Sequence, residues 1–313
     1  MIGGLGSKTR ILALPQWLWQ CRQTRTPSPT LSSTPSCALN LNAAAITSDD
    51  GGGIMTKAEE GMNENPIGFD QEYLQQAGLR AELMPKHVTV TLDGGRRWSD
   101  KYNNGRLTYV PFYKRYIMLG EICIKLGIPA LSCFIFASCN WRRGPEFANV
   151  MFTELEQILE DNIENFKRQG IRFLTIGETW RLPKSLQDMI KQVEEETKNG
   201  KTLDLIFAVP YGGRIDIVEA TKSICVKVMD GVIKPEDIDE ALVEQQLSNV
   251  ICQVPNPDLM IRTGGNRFSN FYLWQASHAE LYFCESLVAA EFGEAEFLNA
   301  LSWFQGTNRR FGK

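Results

Sequence analysis

From Met84 onward, short runs of β-branched and aromatic residues alternate with longer stretches whose apolar positions recur every three or four residues. The short runs predict strands at 87–92, 130–136, 172–176, 204–209, 259–262 and 281–284. The longest helical pattern opens at Pro145, a residue suited to a first turn. It carries Val150, Met151, Leu155, Ile158, Leu159, Ile163 and Phe166 as one apolar stripe, and Gly170 ends it. Further helices are predicted at 112–126, 186–197, 216–229, 235–247 and 290–304, with a short one at 70–83. Such alternation predicts an α/β domain with a mostly parallel central sheet flanked by helices. Ligands of such sheets bind outside the carboxyl ends of the strands, so the chemistry should sit just after each strand.

Four of those positions share one composition. Leu92-Asp93-Gly94-Gly95-Arg96-Arg97-Trp98 follows the first strand and Ala137-Ser138-Cys139-Asn140-Trp141-Arg142-Arg143-Gly144-Pro145 the second. Pro210-Tyr211-Gly212-Gly213-Arg214 follows the fourth, and Arg262-Thr263-Gly264-Gly265-Asn266-Arg267-Phe268-Ser269-Asn270 the fifth. Glycines let backbone amides approach an anion, and helix N-termini behind them add favourable dipole ends. Arginine adds bidentate contacts to phosphate oxygens. Two such clusters suit two diphosphates, and the lone carboxylate Asp93 suits a magnesium ion bridging one of them. Any single loop of this kind is an ordinary turn or solvated face; four at strand ends are not. No G-x-G-x-x-G or G-x-x-x-x-G-K-[ST] cradle and no G-x-S-x-G elbow occurs, which argues against dinucleotide, P-loop and serine-nucleophile chemistry.

Composition narrows the class further. With 43% hydrophobic and 22% charged residues over 313 positions, the chain can bury a large core. A net charge of -4 and a pI near 5.5 argue against a nucleic-acid partner gripped by a broad basic face. No apolar run reaches the length of an integral membrane segment. The eight cysteines form no C-x-x-C pair and fit a reducing compartment, and His87 and His278 lack partners at zinc-ligand spacing. Residues 1–50 are rich in Ser, Thr and Arg, and their first acids are Asp49 and Asp50, the composition of a transit peptide; the alternative is a tail with no address. The organisation expected is a transit peptide at 1–50, a linker and short helix at 51–83, and a catalytic domain at 84–313.

From Met84 to Gly312 the chain resembles the cis-prenyltransferases, on Asp93-Gly94-x-x-Arg97-Trp98, Asn140-Trp141-x-Arg143, Tyr211-Gly212-Gly213-Arg214-x-Asp216-Ile217, Ile261-Arg262-Thr263-Gly264-Gly265, Ser269-Asn270-Phe271, Ala279-Glu280-Leu281-Tyr282-Phe283 and Arg309-Arg310-Phe311-Gly312. The resemblance implies an apolar tunnel, a homodimer, and Mg2+ bound by Asp93 with Glu280 of the neighbouring subunit. It implies that Arg97 and Arg143 contact the first, allylic diphosphate, that Arg262, Arg267 and Ser269 hold the second substrate, that Asn140 sits near the reacting carbon, and that Gly94 and Trp98 belong to the substrate-binding set. The transit-peptide composition suits a plastid or a mitochondrion, and the resemblance to plant members of the family implies the plastid stroma.

Departures from the family pattern cluster. Asp93-Gly94-Gly95 stands for Asp-Gly-Asn, and Thr108-Tyr109-Val110-Pro111-Phe112 replaces a Gly-His-x-Ala-Gly region. Ala137-Ser138-Cys139 loses a Ser and a carboxylate, and Gly264-Gly265-Asn266-Arg267 is one residue short. Since the metal and arginine set survives, the pattern reads as an enzyme with altered regiochemistry. It resembles a lavandulyl diphosphate synthase, which joins two dimethylallyl diphosphates head to middle. The alternatives are a head-to-tail neryl (cis-C10 to C15) synthase using isopentenyl diphosphate, or a non-catalytic partner subunit. Bulky Tyr109, Phe112, Tyr113, Tyr116 and Ile117 on the tunnel-wall helix favour a short product, although a well-packed helix face explains them equally.

Overall fold

A computed structural model describes residues 69–309. The expected leader at 1–50, residues 51–68 and the terminal Arg310-Phe311-Gly312 lie outside the described residues. Six strands form one all-parallel sheet: β1 (His87–Thr91), β2 (Ala130–Phe134), β3 (Ile171–Ile176), β4 (Leu203–Ala208), β5 (Leu259–Thr263) and β6 (Glu280–Cys284), in the order β3-β4-β2-β1-β5-β6. All six coincide with predicted strands to within two residues. β1 and β5 are buried at every position, as helices on both faces require of a parallel sheet. The chain leaves β1 toward β2 on one side, and leaves β5 toward β6 on the other. A crevice therefore opens between the carboxyl ends of β1 and β5, where a doubly wound sheet receives its ligand.

The helices are α1 (Gln71–Gln76), α2 (Gly95–Tyr102), α3 (Val110–Leu126), α4 (Pro145–Gln169), α5 (Lys184–Thr197), α6 (Gly213–Met229), α7 (Glu240–Glu244), α8 (Ser248–Ile251) and α9 (Glu294–Gln305). α4 starts at Pro145 and stops at a left-handed Gly170 with φ 67°, as its sequence specifies. Its buried stripe of Phe147, Met151, Leu155, Ile158, Leu159 and Phe166 joins the main core beside α3 and the sheet. No helix among the described residues is long and apolar enough to cross a membrane.

Three predicted helices are broken, each by local chemistry. The 70–83 segment stops at Gln76 because Gly78 takes φ 66°, and resumes as a 3-10 turn at Ala81–Leu83. In the 235–247 segment, the Asp237 carboxylate accepts from the Lys234 amide at 2.8 Å and Asp239 from the Leu242 amide at 2.8 Å. The two side chains thus hold a turn at Pro235–Asp237 and cap a separate α7. The 290–304 segment is interrupted at Gly293, whose amide donates to Glu296 Oε2, so that α9 begins at Glu294. The pattern missed α2 altogether, because GRRWSDKY offers only two apolar positions, Trp98 and Tyr102, too few to mark a period; its start at a left-handed Gly94 is set by the turn after β1.

α1 belongs to the packed body. Leu74 and Leu79 lie in the main core, Tyr73 donates to Glu294 at 2.6 Å, and the Arg80 backbone exchanges two hydrogen bonds with the Gln305 side chain. At the opposite end of the sheet from the crevice, His87 is fully buried, with Nδ1 against the Pro255 carbonyl at 2.7 Å and Nε2 against Ser132 at 2.8 Å. Burial pushes its pKa down to about 4.

A chain beginning at Met84 should therefore unfold at lower urea and several degrees lower temperature than one beginning at Met62, because it loses the Leu74 and Leu79 burial, worth roughly 3–6 kcal/mol. Equal midpoints for the two would contradict the docking of α1. His87 supplies a pH-dependent prediction. Above about pH 6.5 the ring is neutral in both states; below it the unfolded chain takes a proton that the folded chain refuses until about pH 4. Stability should fall across that window by on the order of 3 kcal/mol. Urea titrations at pH 7.5, 6 and 5 should show this slope, and His87→Gln should reduce it.

Candidate active site

Asp93 follows β1 in a turn stitched to its neighbours. Its carbonyl accepts from the Thr263 hydroxyl at 2.9 Å and from the Ala289 amide at 3.0 Å. Its carboxylate accepts from the Gly94 amide at 2.6 Å, from Arg262 Nη2 at 2.6 Å and, more loosely, from Arg267 Nη2 at 3.4 Å. Arg262 lies on β5, level with Thr91 in the β1 register, which carries its guanidinium across the crevice. It is only 5% exposed, and its Nε and Nη1 are buried with no hydrogen-bond partner. Burial pulls its pKa below the usual arginine value, with Asp93 opposing and Arg267 adding to the shift.

These residues form one end of a cavity of about 260 Å3, lined also by Gly94, Gly95, Asn140, Arg143 and Ser269. Arg143 comes from the 3-10 turn Ser138–Arg143 after β2, and its guanidinium stands over the Phe147 ring at 4.8 Å. The lining also carries the apolar or aromatic side chains of Tyr109, Phe134, Ile135, Phe147 and Met151. Three arginines together with that hydrocarbon surface suit a ligand with an anionic head and a short apolar chain. The volume, below the ~300–1,000 Å3 of sites for drug-sized molecules, limits that chain. Phe147 and Met151 went unmarked as site residues in the sequence. Their i, i+4 spacing directly after Arg143 on α4 was the available signal.

Seven of the expected site residues thus line the cavity: Asp93, Gly94, Asn140, Arg143, Arg262, Arg267 and Ser269. Three lie elsewhere. Arg97 donates to the Gly264 carbonyl at 2.8 Å, tying α2 to the loop after β5. Trp98 packs edge-on against Phe112, at 5.7 Å between centroids, and against Tyr102. Glu280 opens β6, where the register pairs Val90 with Ile261 and Ile261 with Tyr282. It therefore lies about five residues, roughly 16 Å along the strands, from the Asp93 level of its own chain.

The expectation that Pro210–Arg214 forms an anion loop is corrected. Asn270 occupies its donors: the Gly213 amide bonds the Asn270 carbonyl at 2.9 Å and the Arg214 amide its side-chain oxygen at 3.0 Å. The segment lines a separate small pocket with Trp180 and Glu178 rather than the cavity. Behind it, the buried Asp216 carboxylate accepts from Tyr211, Ser248 and Gln275 and fixes the start of α6.

A magnesium ion fits this donor set in one form. Asp93 is the only carboxylate lining the cavity, and no cluster of three metal-ligating side chains occurs among the described residues. Mg2+ is commonly held by one or two carboxylates together with water and substrate phosphate, so the site suits an ion arriving on a phosphorylated ligand and not an all-protein cage.

A protein-family sequence model described as "Putative undecaprenyl diphosphate synthase" matches residues 91–312. Cis-prenyltransferase 4, chloroplastic, of Solanum lycopersicum is 43% identical over 75% of this chain and 77% of its own length. The chloroplastic nerylneryl diphosphate synthase of the same plant is 37% identical over 88% and 85%. The crystal structure of lavandulyl diphosphate synthase from Lavandula x intermedia in complex with dimethylallyl diphosphate superposes with a TM-score of 0.70. It is 35% identical and covers 74% of this chain and all of that one.

Gly264 supplies a structural test of the site. It sits at φ 72°, and a Cβ there would stand 2.4 Å from Arg97 Nη2 and 2.9 Å from the Asp93 carbonyl oxygen. Gly264→Ala should lower stability by about 1–3 kcal/mol and loosen the Asp93 turn, read as a drop in thermal midpoint. An unchanged midpoint would mean that the turn is not held as described.

Proposed function

The chain belongs to the cis-prenyltransferase family and is a prenyl-transferring enzyme, and from that premise we propose that it condenses two C5 isoprenoid diphosphates, both dimethylallyl diphosphate, into lavandulyl diphosphate. The observation that carries the reading is three arginines, Arg143, Arg262 and Arg267, lining one cavity together with Tyr109, Phe134, Phe147 and Met151, two nitrogens of the buried Arg262 having no partner in the fold. Buried donors without partners are costly, and a diphosphate oxygen supplies the missing acceptor. The head-to-middle product is supported by the neighbour solved with dimethylallyl diphosphate and by Gly95, Tyr109, Ala137 and Cys139, all in the cavity lining.

In this reading Arg143, Arg262 and Arg267 hold diphosphate oxygens and neutralise the charge that grows as the allylic C1–O bond breaks. Magnesium, carried by the diphosphate and held by Asp93, supplies further charge neutralisation when bound. Phe147 and Met151 keep water from the allylic cation, and Asn140 sits beside the reacting carbon. The cation's C1 bonds to C2 of the second dimethylallyl group, and a methyl proton leaves to form the terminal double bond. The lining offers neither histidine nor glutamate to take that proton, and the departed diphosphate accepts it.

A homodimer completes the site: Glu280, too far from Asp93 within one chain, reaches the metal from the neighbouring subunit. The free edge of β6 and the exposed Phe283 and Trp303 support such an interface. Plastid location is supported by relatives named chloroplastic.

Purified protein given Mg2+ and dimethylallyl diphosphate alone should yield a branched C10 alcohol after phosphatase treatment. Inertness until isopentenyl diphosphate is added, followed by nerol, would replace this reading with the head-to-tail one; no product from either would favour a non-catalytic partner. Asp93→Asn, which keeps a partner for Arg262, should lower kcat/KM at least 100-fold, about 2.7 kcal/mol. Full activity of that variant, or of wild type in excess chelator, would remove the metal role.

A further inference from the structure

The cavity opens where two neighbouring strands part. Along β1 the His87 carbonyl accepts from the Asp258 amide, so His87, Thr89 and Thr91 turn their backbone groups toward β5, while Val88, Val90 and Leu92 turn theirs toward β2. Along β2 the Pro129 carbonyl accepts from the Asp204 amide of β4, which leaves Ala130, Ser132 and Phe134 facing β1. The β1–β2 pairing runs from His87 with Ala130 to Val90 with Cys133 and stops there. Its next rung would join the Leu92 amide to the Phe134 carbonyl.

Tyr116 of α3 stands in that rung. Its hydroxyl accepts from the Leu92 amide at 3.2 Å and donates to the Phe134 carbonyl at 3.2 Å. One oxygen atom is thus inserted between two groups that a direct bond would bring to about 2.9 Å. The tyrosine is 3% exposed, packs in the main core and lies 6.2 Å from the Phe207 ring of β4. Burial raises its pKa well above the usual phenol value, so the hydroxyl keeps the proton it donates. Beyond the insertion the strands diverge. The Ile135 and Phe136 amides both turn to the Ala208 carbonyl of β4, at 3.1 and 3.2 Å, whereas Asp93 is drawn toward β5 by Thr263 and Arg262. Thr91 and Leu92 on one side of the gap, and Phe134 and Ile135 on the other, all line the cavity.

We infer that Tyr116 is a positioning residue for the substrate's hydrocarbon chain: its hydroxyl takes the place of a β1–β2 rung and holds the strand ends apart, and the width so fixed decides whether the chain fits. The inference rests on the diphosphate reading given above and deepens it, by separating the room for the chain from the arginines that take the head. Without the hydroxyl, the Leu92 amide and the Phe134 carbonyl would be left unpaired, which is costly inside a protein. The direct bond between them is the nearest repair. It would draw the strand ends together and take space from the cavity.

Tyr116→Phe removes one atom and keeps the ring, with circular dichroism and thermal midpoints checking that it folds. A crystal structure of the variant should bring the Leu92 nitrogen to within about 3.2 Å of the Phe134 oxygen. Calorimetric affinity for dimethylallyl S-thiolodiphosphate, which carries both head and chain, should fall about tenfold or more, the scale on which an apolar pocket rejects a chain that no longer fits. Affinity for inorganic diphosphate, which has no chain, should stay within about twofold of wild type. Unchanged affinity for the thiolodiphosphate, equal weakening of both ligands, or strand ends still apart with water in the place of the hydroxyl would overturn the inference and leave the diphosphate reading standing. Failure of wild type to bind both inorganic diphosphate and the thiolodiphosphate would overturn that reading, and this inference with it.

Discussion

The contact on which the site depends is the ion pair between Asp93 and Arg262, 2.6 Å apart across the carboxyl ends of β1 and β5. Arg262 is almost wholly inside the protein, and a buried charge without its counter-charge costs about 3–5 kcal/mol. The pair is therefore a condition of the fold as well as of the chemistry. Its position follows from topology: parallel strands that send their connections in opposite directions leave a gap, and both residues project into it. Asp93 satisfies one guanidinium nitrogen and leaves two, so the arginine is neutralised in charge but not in hydrogen bonding. In the function proposed above, a diphosphate oxygen would meet that remaining demand.

The rest of the crevice braces this pair. Thr263 and Ala289 fix the Asp93 backbone, and Arg97 ties α2 to Gly264. Asn270 joins the loop after β5 to the start of α6, and the loop after β2 bridges to Tyr211. Three of the four glycine- and arginine-bearing loops contribute to the cavity, and the fourth serves as scaffold. An arginine that bonds a carbonyl and a glycine loop whose amides are already taken have the same sequence signature as phosphate ligands. The distinction lies in which acceptors the fold brings near.

How much was legible in the sequence follows the same division. Strand positions were legible, because a central parallel strand is buried on both faces and so is rich in apolar and β-branched residues, as in Val88–Thr91 and Leu205–Ala208. Long helices with one apolar face were legible for the analogous reason. Helix ends governed by side-chain capping, at Asp239 and Gly293, were not, since the capping partner is visible only once the backbone turns. Within the site, the charged residues and Tyr109 stood out, and the rest of the apolar lining did not: Phe147 and Met151 look like any core residues of α4. The departures at Gly95 and Tyr109 were legible as belonging to one site, but their direct contact was not, since positions fourteen apart come into van der Waals reach only after α2 and α3 pack.

The central claim is that Arg262 and its neighbours bind a diphosphate while Phe147 and Met151 enclose the hydrocarbon. A crystal structure of the protein with Mg2+ and dimethylallyl S-thiolodiphosphate, whose C–S bond resists ionisation, tests it most directly. The account predicts diphosphate oxygens within hydrogen-bond distance of Arg262 Nε or Nη1 and of Arg143, with the five-carbon chain against Phe147 and Met151. A diphosphate seated on the Pro210–Arg214 loop, or a cavity left unfilled at saturating ligand, would contradict it.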